Sequence, residues 1–588
     1  MGLTTSSQYL FKVHMEQPSN AISEISQKTI NMDTAVVHDR IEQSVAGVEV
    51  KTTSESGHHH NLSDTGAKVA TVINAPHPTD NHEAAEEATV APLHTVFTQR
   101  QRLFICIMTT LASFFSPLSG QIYFPVIPDI AREYNTSIGH INLTITTYMI
   151  LQGLAPTIIG TFGDTTGRRP AYIVTFAIYF AANVGLATQK SYAALLVLRC
   201  LQSAGSSGTI ALGQGVISDI ATPAERGKYL GPVVSGVMLA PALGPTIGGL
   251  LAEFLGWRSI FWFLAIISGV FLVVYTLFMP ETSRKIVGDG SIPPLDWWVM
   301  SPYQYWTAQQ ERKVAIHEGR SHEAEEKLDK ARERAANRKF QFPNPLTSIM
   351  ILREKDAAII ICFISLSMSV LMPIMASMST LFGEVYNFGT FQVGLCYLPL
   401  GVAAILAAGF NGKTMDWNYR RWTRKLNLPY EKKRTTDLRN FPIEKSRLQP
   451  VFIFTPIVAA CCISFGWALQ AHANLAVLLI IEFILGYTQV SASNNLSSLL
   501  VDLFPEKAST VTAASNLVRC WLAGAATAAI DPMLGAMGWG WSFTFLGLVL
   551  VCGLFLIFVE YRNGMGWRHQ RRQREAREAE KAESKERS

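Results

Sequence analysis

The sequence predicts an all-α membrane protein made of two related six-helix bundles with polar tails. Twelve apolar segments of roughly 18 to 28 residues follow one another from Leu103 onward, each long enough to cross a ~30 Å hydrocarbon layer as a helix. A charged turn in the first half of the chain recurs in the second half. Lysine and arginine are concentrated in alternate loops, as expected when those loops face the cytosol.

The composition agrees with this class and excludes others. The 588 residues are 48% hydrophobic and only 16% charged, which is too apolar for an ordinary soluble multidomain protein. The net charge of +5 needs no nucleic-acid partner, because the basic residues lie in loops between apolar segments. All 8 cysteines lie in apolar runs without metal-ligand spacing, so they are predicted to be free core residues. The sequence indicates no cofactor, metal site, nucleotide-binding loop or nucleophile constellation, which argues against an enzyme.

The amino-terminal region is polar, has no helical or strand periodicity, and is predicted to be a disordered cytosolic tail. Because the first apolar run begins only near Leu103, no cleavable signal is expected. The predicted divisions are the tail (1–98), a first six-helix bundle (99–282), a cytosolic central loop (283–350), a second six-helix bundle (351–561) and a charged cytosolic tail (562–588).

The twelve predicted spans fall into two groups of six. Their approximate bounds are 103–127, 141–163, 171–188, 192–218, 228–252 and 260–279, then 357–382, 391–410, 451–469, 474–501, 510–534 and 541–560.

Loop charge sets the predicted orientation. The loops after spans two, four, six, eight and ten carry most of the basic residues, among them Arg168 and Lys507. The alternate loops carry only Arg132, Lys190 and Arg258. Because basic loops stay in the cytosol, both termini are predicted to be cytosolic.

The charged turn after span two, GTFGDTTGRRP, is repeated after span eight as GKTMDWNYRR. Each copy has a glycine, an aspartate and an arginine at intervals of four, followed by a second arginine. The aligned residues are Gly160, Asp164, Arg168 and Arg169 in the first copy and Gly412, Asp416, Arg420 and Arg421 in the second. Parallel six-span repeats are typical of a two-lobed transporter with its substrate path between the lobes.

These residues resemble the Major Facilitator Superfamily. G-x-x-x-D-x-x-G-R-R resembles the family's loop signature, LRCLQ (Leu198–Gln202) its R-x-x-Q element, and GPTIGG (Gly244–Gly249) its signature of proton-driven antiporters. The stretches SPLSGQIYFP, YMILQGLAP, WRSIFWFL and MPET resemble fungal twelve-span drug:proton antiporters (DHA1) of the quinidine-resistance type, over roughly residues 100–565. The chain departs from the family pattern at Thr165, where a basic residue is frequent, and at Ala240, where glycine is usual.

The resemblance implies a proton-coupled secondary transporter that exports drugs, toxins or amphiphilic metabolites across the plasma membrane, with the vacuolar membrane as the alternative location. Its expected partners are a small organic substrate, protons and the lipid bilayer, and it is expected to be monomeric. The alternative within transport is an exporter of an organic acid, a polyamine or a pathway-specific metabolite. The alternative from another class is a non-transporting solute sensor.

Asp164, Arg168 and Asp219 are predicted to form a charge cluster that pins the cytosolic helix ends in one conformation and releases them in the other. Arg169 and the repeated pair Asp416 and Arg420 are assigned to the same set. The alternative is a static salt bridge that only orients the loop.

Three charged residues, Arg199, Glu482 and Arg519, interrupt apolar spans, where a charge requires a partner or a function. The family analogy implies that Arg199 takes part in proton coupling, with a purely structural bridge as the alternative. Glu482 is a proton-carrier candidate, because a lone desolvated carboxyl can titrate near neutral pH. Arg519 lies about mid-membrane, and Glu482 or cavity carbonyls are the candidate partners of both arginines.

Span five has small residues at every fourth position and two prolines on the same helix. The interpretation is a tight, bent seam that prevents ion leak, and the alternative is ordinary small-residue packing. The seam residues are Gly236, Ala240, Pro241, Gly244, Pro245, Gly248 and Gly249.

Polar and aromatic residues within the spans are predicted to line a substrate cavity, the alternative being hydrogen bonds between helices. They are Gln121, Tyr148, Gln152, Gln202, Asn494, Asn495 and Asn516. Four methionines of span seven, Met368, Met372, Met375 and Met378, suit an adaptable pocket but are more often core or lipid-facing. Asn135 and Asn142 fit glycosylation sequons on the external side.

Overall fold

The computed structural model describes residues 95–222, 225–296, 298–317, 321–336, 349–426 and 441–587. The predicted tail therefore lies outside the described residues up to residue 94, as do residues 427–440 of the loop after span eight. The regular structure of the described residues is helical, and twelve of its helical segments are long and apolar enough to cross a membrane. The predicted fold class and the twelve spans are confirmed.

The first lobe consists of spans one to six. Their bounds are Gln99–Glu133, Ile138–Thr166, Arg168–Thr188, Tyr192–Ile220, Arg226–Leu255 and Arg258–Phe278.

The second lobe consists of spans seven to twelve. Their bounds are Lys355–Tyr386, Thr390–Lys425, Ile443–Gln470, Leu475–Leu503, Ala508–Met537 and Trp539–Glu578. Between the lobes, the described part of the central segment contains the helices Arg284–Val287, Pro302–His317 and Ser321–Ala336.

Spans one and eight are broken by proline. In span one an α-helix ends at Gln121, a 3-10 turn covers Phe124–Val126, and a short helix, Ile127–Glu133, follows. In span eight the helix Thr390–Cys396 ends before Tyr397, and a second helix begins at Leu398 with a proline in its first turn. A proline has no N–H to donate and fits the first turn of a new helix, so each break falls beside one.

Several helices are longer than predicted. The second helix of span eight runs to Lys425, about fifteen residues beyond the predicted end, and the last helix runs from Trp539 to Arg587. Both extensions are rich in lysine and arginine, and that of the last helix also in glutamate; these residues are good helix formers outside the bilayer as well. Hydrophobicity locates the membrane segment but not the end of the helix.

The two ends of the helical bundle differ in charge. We call the end that carries Arg168, Arg226 and Lys507 at helix starts the basic end, and the end that carries Glu133 and Arg258 the opposite end. Glu133 and Arg258 form an ion pair of 2.5 Å that ties the end of span one to the start of span six.

The cysteine prediction is correct in part. All eight are free, and five are buried, but Cys362 and Cys552 are exposed rather than in the core. Both lie within membrane spans, where a side chain that faces lipid is as apolar in sequence as one that faces the core. Apolar context alone therefore does not separate the two faces.

Candidate functional site

Three predicted cluster residues meet at the basic end of the first lobe. Arg168 lies 2.6 Å from Asp164, one helical turn earlier, and 3.1 Å from Asp219 at the end of span four. The side chains of Arg168 and Asp219 are only 13% and 12% exposed, whereas Asp164 is 50% exposed. Since an exposed pair is screened by water, the Arg168–Asp219 pair carries most of the electrostatic attraction.

Glu281, just after span six, completes this cluster and was not assigned from the sequence. Its buried carboxylate accepts four backbone N–H bonds, from Arg168, Arg169, Thr282 and Ser283, at 2.8–3.1 Å. Burial raises the pKa of Glu281, while the four donors oppose that rise. The carboxylate thus clamps the turn after span two to the end of span six.

Gly167 permits this clamp. Its φ of +117° is strained for any L side chain, and a Cβ there would lie 2.6 Å from Glu281 Oε2. The glycine of the turn signature is therefore required by both backbone conformation and space.

The side chains of the remaining assigned residues do not join the cluster. Arg169 turns away and donates to the carbonyls of Thr276 at 2.6 Å and Trp298 at 3.0 Å. In the second lobe Asp502, the counterpart of Asp219, pairs at 3.1 Å with Arg447. Arg447 lies in the short helix Ile443–Leu448 at the start of span nine rather than in the repeated turn.

The second copy of the turn differs because Tyr419 stands where the first copy has Gly167. Without a glycine of positive φ, the helix continues through Asp416 and Arg420, both exposed, to Lys425. The expected symmetry of the two charge clusters is therefore not observed, although each lobe has an arginine–aspartate pair at the basic end.

Arg199 is fully enclosed, with 0% exposure, between two tyrosine rings of the first lobe. Its guanidinium carbon lies 4.2 Å from the Tyr123 ring and 4.4 Å from the Tyr148 ring. It donates to Gln202 Oε1 at 2.6 Å and to the Ser119 carbonyl at 3.4 Å, while Nε and Nη2 have no protein acceptor. Cation–π contacts and one side-chain amide thus replace the carboxylate partner that was considered from the sequence.

Glu482 is enclosed in the second lobe, at 1% exposure, and neither carboxyl oxygen has a hydrogen-bond partner. It lies beside Cys396 and Tyr397 of span eight. Tyr397 in turn donates to the Met375 carbonyl at 2.6 Å and stacks on Phe124 of the first lobe, with 6.3 Å between ring centroids. Tyr397 therefore links Glu482 to an aromatic contact between the lobes.

Span five has two close-packed faces, one against each lobe. Gly236, Gly244 and Gly248 face span one, where a Cβ at Gly244 would lie 2.8 Å from Gln121 Cβ and one at Gly248 would overlap the Ile122 carbonyl. Gly249 faces the second lobe, where a Cβ would lie 2.6 Å from the Thr390 carbonyl oxygen. Small residues thus bring span five into backbone contact with span one and span eight.

The other seam residues lie on the same helix. Ala240 is fully buried, and Pro241 and Pro245 are accommodated within the helix Arg226–Leu255. The carbonyl of Pro245 is the atom that a Cβ at Gly394 of span eight would meet, at 2.6 Å.

Spans two and eleven form the second contact between the lobes. Asn516 Nδ2 donates to the Gln152 carbonyl at 3.0 Å, and Trp521 Nε1 donates to the Ile150 carbonyl at 3.3 Å. Arg519, partly exposed, donates from Nη2 to Asn516 Oδ1 at 2.7 Å. Three residues assigned to a cavity or to proton coupling therefore meet at mid-membrane between the lobes.

Hydrogen bonds join the lobes toward the opposite end. Thr390 donates to Asp129 at 2.8 Å, and the Phe391 N–H donates to Glu253 at 3.4 Å, so carboxylates of the first lobe hold the start of span eight. At the basic end, a Cβ built at Gly160 of span two would meet nothing within 4 Å. The same holds at three glycines of spans five and eight, Gly231, Gly409 and Gly412.

The other cavity candidates are mostly enclosed in this conformation. Gln202 bridges Arg199 and Asn183, Tyr148 donates to the Ser116 carbonyl, and Asn495 donates to Asn411. These three are buried and act as hydrogen bonds within one lobe, the alternative considered from the sequence. Gln121 and Asn494 remain partly exposed.

Three of the four methionines of span seven are in the core, because that helix is packed on several sides. Met372, Met375 and Met378 are buried, and Met368 is partly exposed.

An open cleft of about 660 Å³ lies between the lobes at the opposite end. Residues of span one, including Asp129 and Arg132, line one side, and Ser379 and Glu384 of span seven line the other. Asn135 is exposed at this end with a φ of +49°, in keeping with a sequon that an enzyme could reach.

Asn142 is 1% exposed inside span two. This burial argues against its use as a glycosylation site, because a sugar chain on Asn142 could not be accommodated inside the folded bundle.

A further charge cluster, not predicted from the sequence, is buried at the basic end of the second lobe. Arg571 pairs with Asp356, and Arg568 Nε lies 3.2 Å from Glu444 Oε1, although without hydrogen-bond geometry. Glu560 is fully buried beside them, and its two oxygens have no partner. The cluster ties the extension of span twelve to spans seven and nine. Among the described residues, no group of His, Cys, Asp and Glu side chains is arranged to hold a metal ion.

Comparison with known proteins gives a consistent result. Residues 109–528 match the family described as Major Facilitator Superfamily. The MFS-type transporter phiD of Fungal sp. (strain ATCC 74256) is 40% identical over 479 residues, which cover 81% of this chain and 70% of phiD. Citrate exporter 1 of Aspergillus niger is 35% identical over 486 residues, 82% of this chain and 89% of that protein. The xylose transporter XylE of E. coli, in a partially occluded inward open conformation, matches with a TM-score of 0.51 at 15% identity, covering 78% of this chain and 99% of XylE.

Proposed function

This chain belongs to the Major Facilitator Superfamily as a transporter of the fungal type, and we propose that it exports small organic compounds in exchange for protons. The proposed cargo is a drug, a toxin or an amphiphilic metabolite. The proposed location is the plasma membrane, with the basic end and both termini in the cytosol and a monomer as the working unit. The support for this orientation is the concentration of lysine and arginine at the basic end.

One observation carries the proposal: hydrogen bonds between the lobes lie from mid-membrane to the opposite end. Hydrogen bonds between the lobes run from the Gln152 carbonyl at mid-membrane to Asp129 at the opposite end. A Cβ at Gly160 or Gly412 would meet nothing within 4 Å, which supports the proposal of a path from the basic end to mid-membrane. Rocking of the lobes about this central region would open the other end and carry a bound solute outward.

Proton coupling is assigned to Glu482. A carboxylate enclosed without a hydrogen-bond donor is costly, so this group must be able to take up a proton or become exposed as the protein changes conformation. Its neighbour Tyr397 forms the aromatic contact with Phe124 across the lobes. A change of charge at Glu482 is therefore placed to alter the contact that seals the opposite end. Arg199 of span four lies between the rings of Tyr123 and Tyr148, and it is proposed to keep the helices that carry these three residues packed together during this change.

The charge cluster at the basic end is proposed to be the gate. Arg168 and Asp219 are mostly shielded from water in the conformation that is open at this end. Such a pair is strong when desolvated and weak when wet, so closure and opening of the neighbouring helices would change its strength.

A second candidate function is the export of an organic acid. It is favoured by the similarity to Citrate exporter 1 of Aspergillus niger. A solute sensor, the remaining alternative, would bind a compound but show no net flux.

The test uses the purified full-length protein in vesicles with an imposed pH gradient and a panel of radiolabelled organic compounds. We expect at least one compound to move only when a gradient is present. Glu482→Gln should abolish the acceleration by the gradient but retain exchange of labelled for unlabelled compound, because only the proton step is removed. Glu384→Gln, which alters an exposed carboxyl in the same lobe, is the matched control and should behave as the wild type. Gradient-driven flux that persists in Glu482→Gln would refute the role of Glu482, and binding without flux of any compound would favour the sensor.

A further inference from the structure

The interface between spans two and eleven contains an arginine, Arg519, that bonds to Asn516 and lies against Cys520 of its own helix. Arg519 lies eleven residues after the start of its helix at Ala508, or ~16 Å along the axis, and eighteen residues before its end at Met537. A guanidinium has five N–H donors, and one of them, on Nη2, is bonded to Asn516. Within the described part of the chain, none of the recorded ion pairs involves Arg519.

A charge at mid-membrane is costly in lipid, so we expect Arg519 to face the space between the lobes. Asn516, the acceptor of its hydrogen bond, donates to the Gln152 carbonyl of the other lobe. The two helices are in backbone contact there, since a Cβ at Gly153 would lie 3.1 Å from the Leu517 carbonyl oxygen. Arg519 is partly exposed although it lies in mid-membrane. Its exposed part is thus placed beside the mid-membrane contact between the lobes.

The other charged residues within the spans differ from Arg519 in their surroundings. Arg199 has 0% exposure and is covered by two tyrosine rings, so a solute cannot reach it in this conformation. Glu482 is enclosed in the second lobe beside Cys396 and Tyr397. Arg519 thus offers a positive charge to the path with neither of these groups in contact with it.

We infer that Arg519 and Asn516 form a binding site for an organic anion, and that the transported solute carries a carboxylate. This inference rests on the proposed transport function and narrows its substrate class. The planar guanidinium can donate two parallel bonds to a carboxylate, the geometry that makes arginine the preferred residue for such groups. Asn516 positions the fork, because its Oδ1 holds one guanidinium nitrogen while its Nδ2 is fixed on the opposite lobe. A solute bound here would touch both lobes, as alternating access requires.

The experiment compares acids with their neutral counterparts. Full-length protein in lipid nanodiscs is titrated with citrate, benzoate and decanoate, and with the amide of each acid, while thermal unfolding reports binding. We expect at least one acid to raise the unfolding temperature and its amide not to do so. Arg519→Gln should weaken that acid's affinity at least tenfold, whereas Arg519→Lys, which keeps the charge but loses the fork, should weaken it only severalfold. Circular dichroism and gel filtration of both variants show whether they fold.

Each outcome decides the inference. Equal binding of an acid and its amide, equal affinity in the wild type and Arg519→Gln, or no binding by any acid would overturn it. Sodium chloride and inorganic phosphate are tested alone, and a response to them that depends on Arg519 without a response to the organic acids would also overturn it. If Arg519→Gln does not fold, protection of Arg519 from phenylglyoxal by the acid but not by its amide supports the site, and lack of protection refutes it.

The same preparations separate this inference from the proposed function. Arg519-dependent binding of an acid without flux would leave the site intact and reject transport. Gradient-driven flux of neutral compounds with no binding of acids would support transport and reject the anion site.

Discussion

Gly394→Ala should shift the protein away from the conformation described here. Gly394 is buried in the first helix of span eight, where a Cβ would lie 2.6 Å from the Pro245 carbonyl oxygen and 3.2 Å from Gly249 Cα. Both of these atoms belong to the backbone of span five in the other lobe. Neither can rotate away, so the strain is relieved only if the two lobes separate at this point.

The size of the effect follows from the geometry. An ordinary carbon–oxygen contact is at least ~3.4 Å, so the methyl group is about 0.8 Å too close. Overpacking of this kind costs about 1–3 kcal/mol. If this energy destabilises only the conformation described here, the ratio of the two conformations changes by about 5- to 150-fold in favour of the one that is open at the opposite end.

The assay is the alkylation rate of a single cysteine placed at Ser379→Cys in a variant without the eight native cysteines. Ser379 lines the cleft at the opposite end and is only 2% exposed, so it should react slowly until that end opens. Gly394→Ala should raise the rate with a membrane-impermeant maleimide by about 5- to 150-fold.

Two glycines provide matched controls. A Cβ at Gly409, in the same span, meets nothing within 4 Å, so Gly409→Ala should leave the alkylation rate unchanged. A Cβ at Gly205 would lie 2.6 Å from the Tyr179 backbone nitrogen of its own lobe, so Gly205→Ala should lower the unfolding temperature without opening the cleft. An unchanged rate in a folded Gly394→Ala variant would refute the claim that this contact holds the opposite end closed.

Burial raises the pKa of Glu281, so the folded chain binds the carboxyl proton more tightly than the unfolded chain does. The unfolding free energy should therefore fall as the pH rises from the ordinary carboxyl pKa to the raised pKa. Thermal unfolding at several pH values should show this fall in the wild type and not in Glu281→Gln. Asp219→Asn should slow transport about tenfold or more, because it removes a partner worth ~1.5–3 kcal/mol from a shielded pair. Asp164→Asn should slow it less than about fivefold, because that carboxylate is half exposed; equal effects in a flux assay would contradict the assignment. If the chain is glycosylated in a fungal host, Asn135→Gln should remove the gel shift with glycosidase and Asn142→Gln should not.

The fold was predictable because its main signal is local. A span needs only length and apolarity, and the alternation of basic loops orders the spans without any tertiary information. Helix ends were less predictable, as the extension of span eight to Lys425 shows, because charged residues continue a helix as well as they end a membrane segment. The exposed Cys362 and Cys552 mark the same limit, since lipid and protein core select the same side chains.

The candidate site was predictable where the sequence repeats or where a charge interrupts an apolar span. The turn signature brought Asp164, Arg168 and Asp219 together, as expected. Glu281 was not found, because its role depends on backbone N–H groups more than a hundred residues away. A lone acidic residue directly after an apolar segment was the available signal, and a similar signal applies to Glu560, the last residue of the predicted segment 541–560.

The pairing in the second lobe depended on one residue. Asp502 ends span ten as Asp219 ends span four, but its partner is Arg447 from a helix outside the repeat. The difference can be traced to Tyr419, which stands in the place of Gly167 and keeps the repeated turn helical. A comparison of the two copies at the glycine would have indicated that the second turn could not form the same clamp.

The central claim is that the two lobes rock about mid-membrane, so that the ends open alternately. Its most direct test is a pair of spin-label distances in the same cysteine-free protein, Gly227→Cys with Gly412→Cys at the basic end and Arg132→Cys with Glu384→Cys at the opposite end. All four positions are exposed. We predict two distances for each pair, and that acidification or a transported compound lengthens one pair while it shortens the other. A single unchanging distance for both pairs, or distances that lengthen together, would contradict the account.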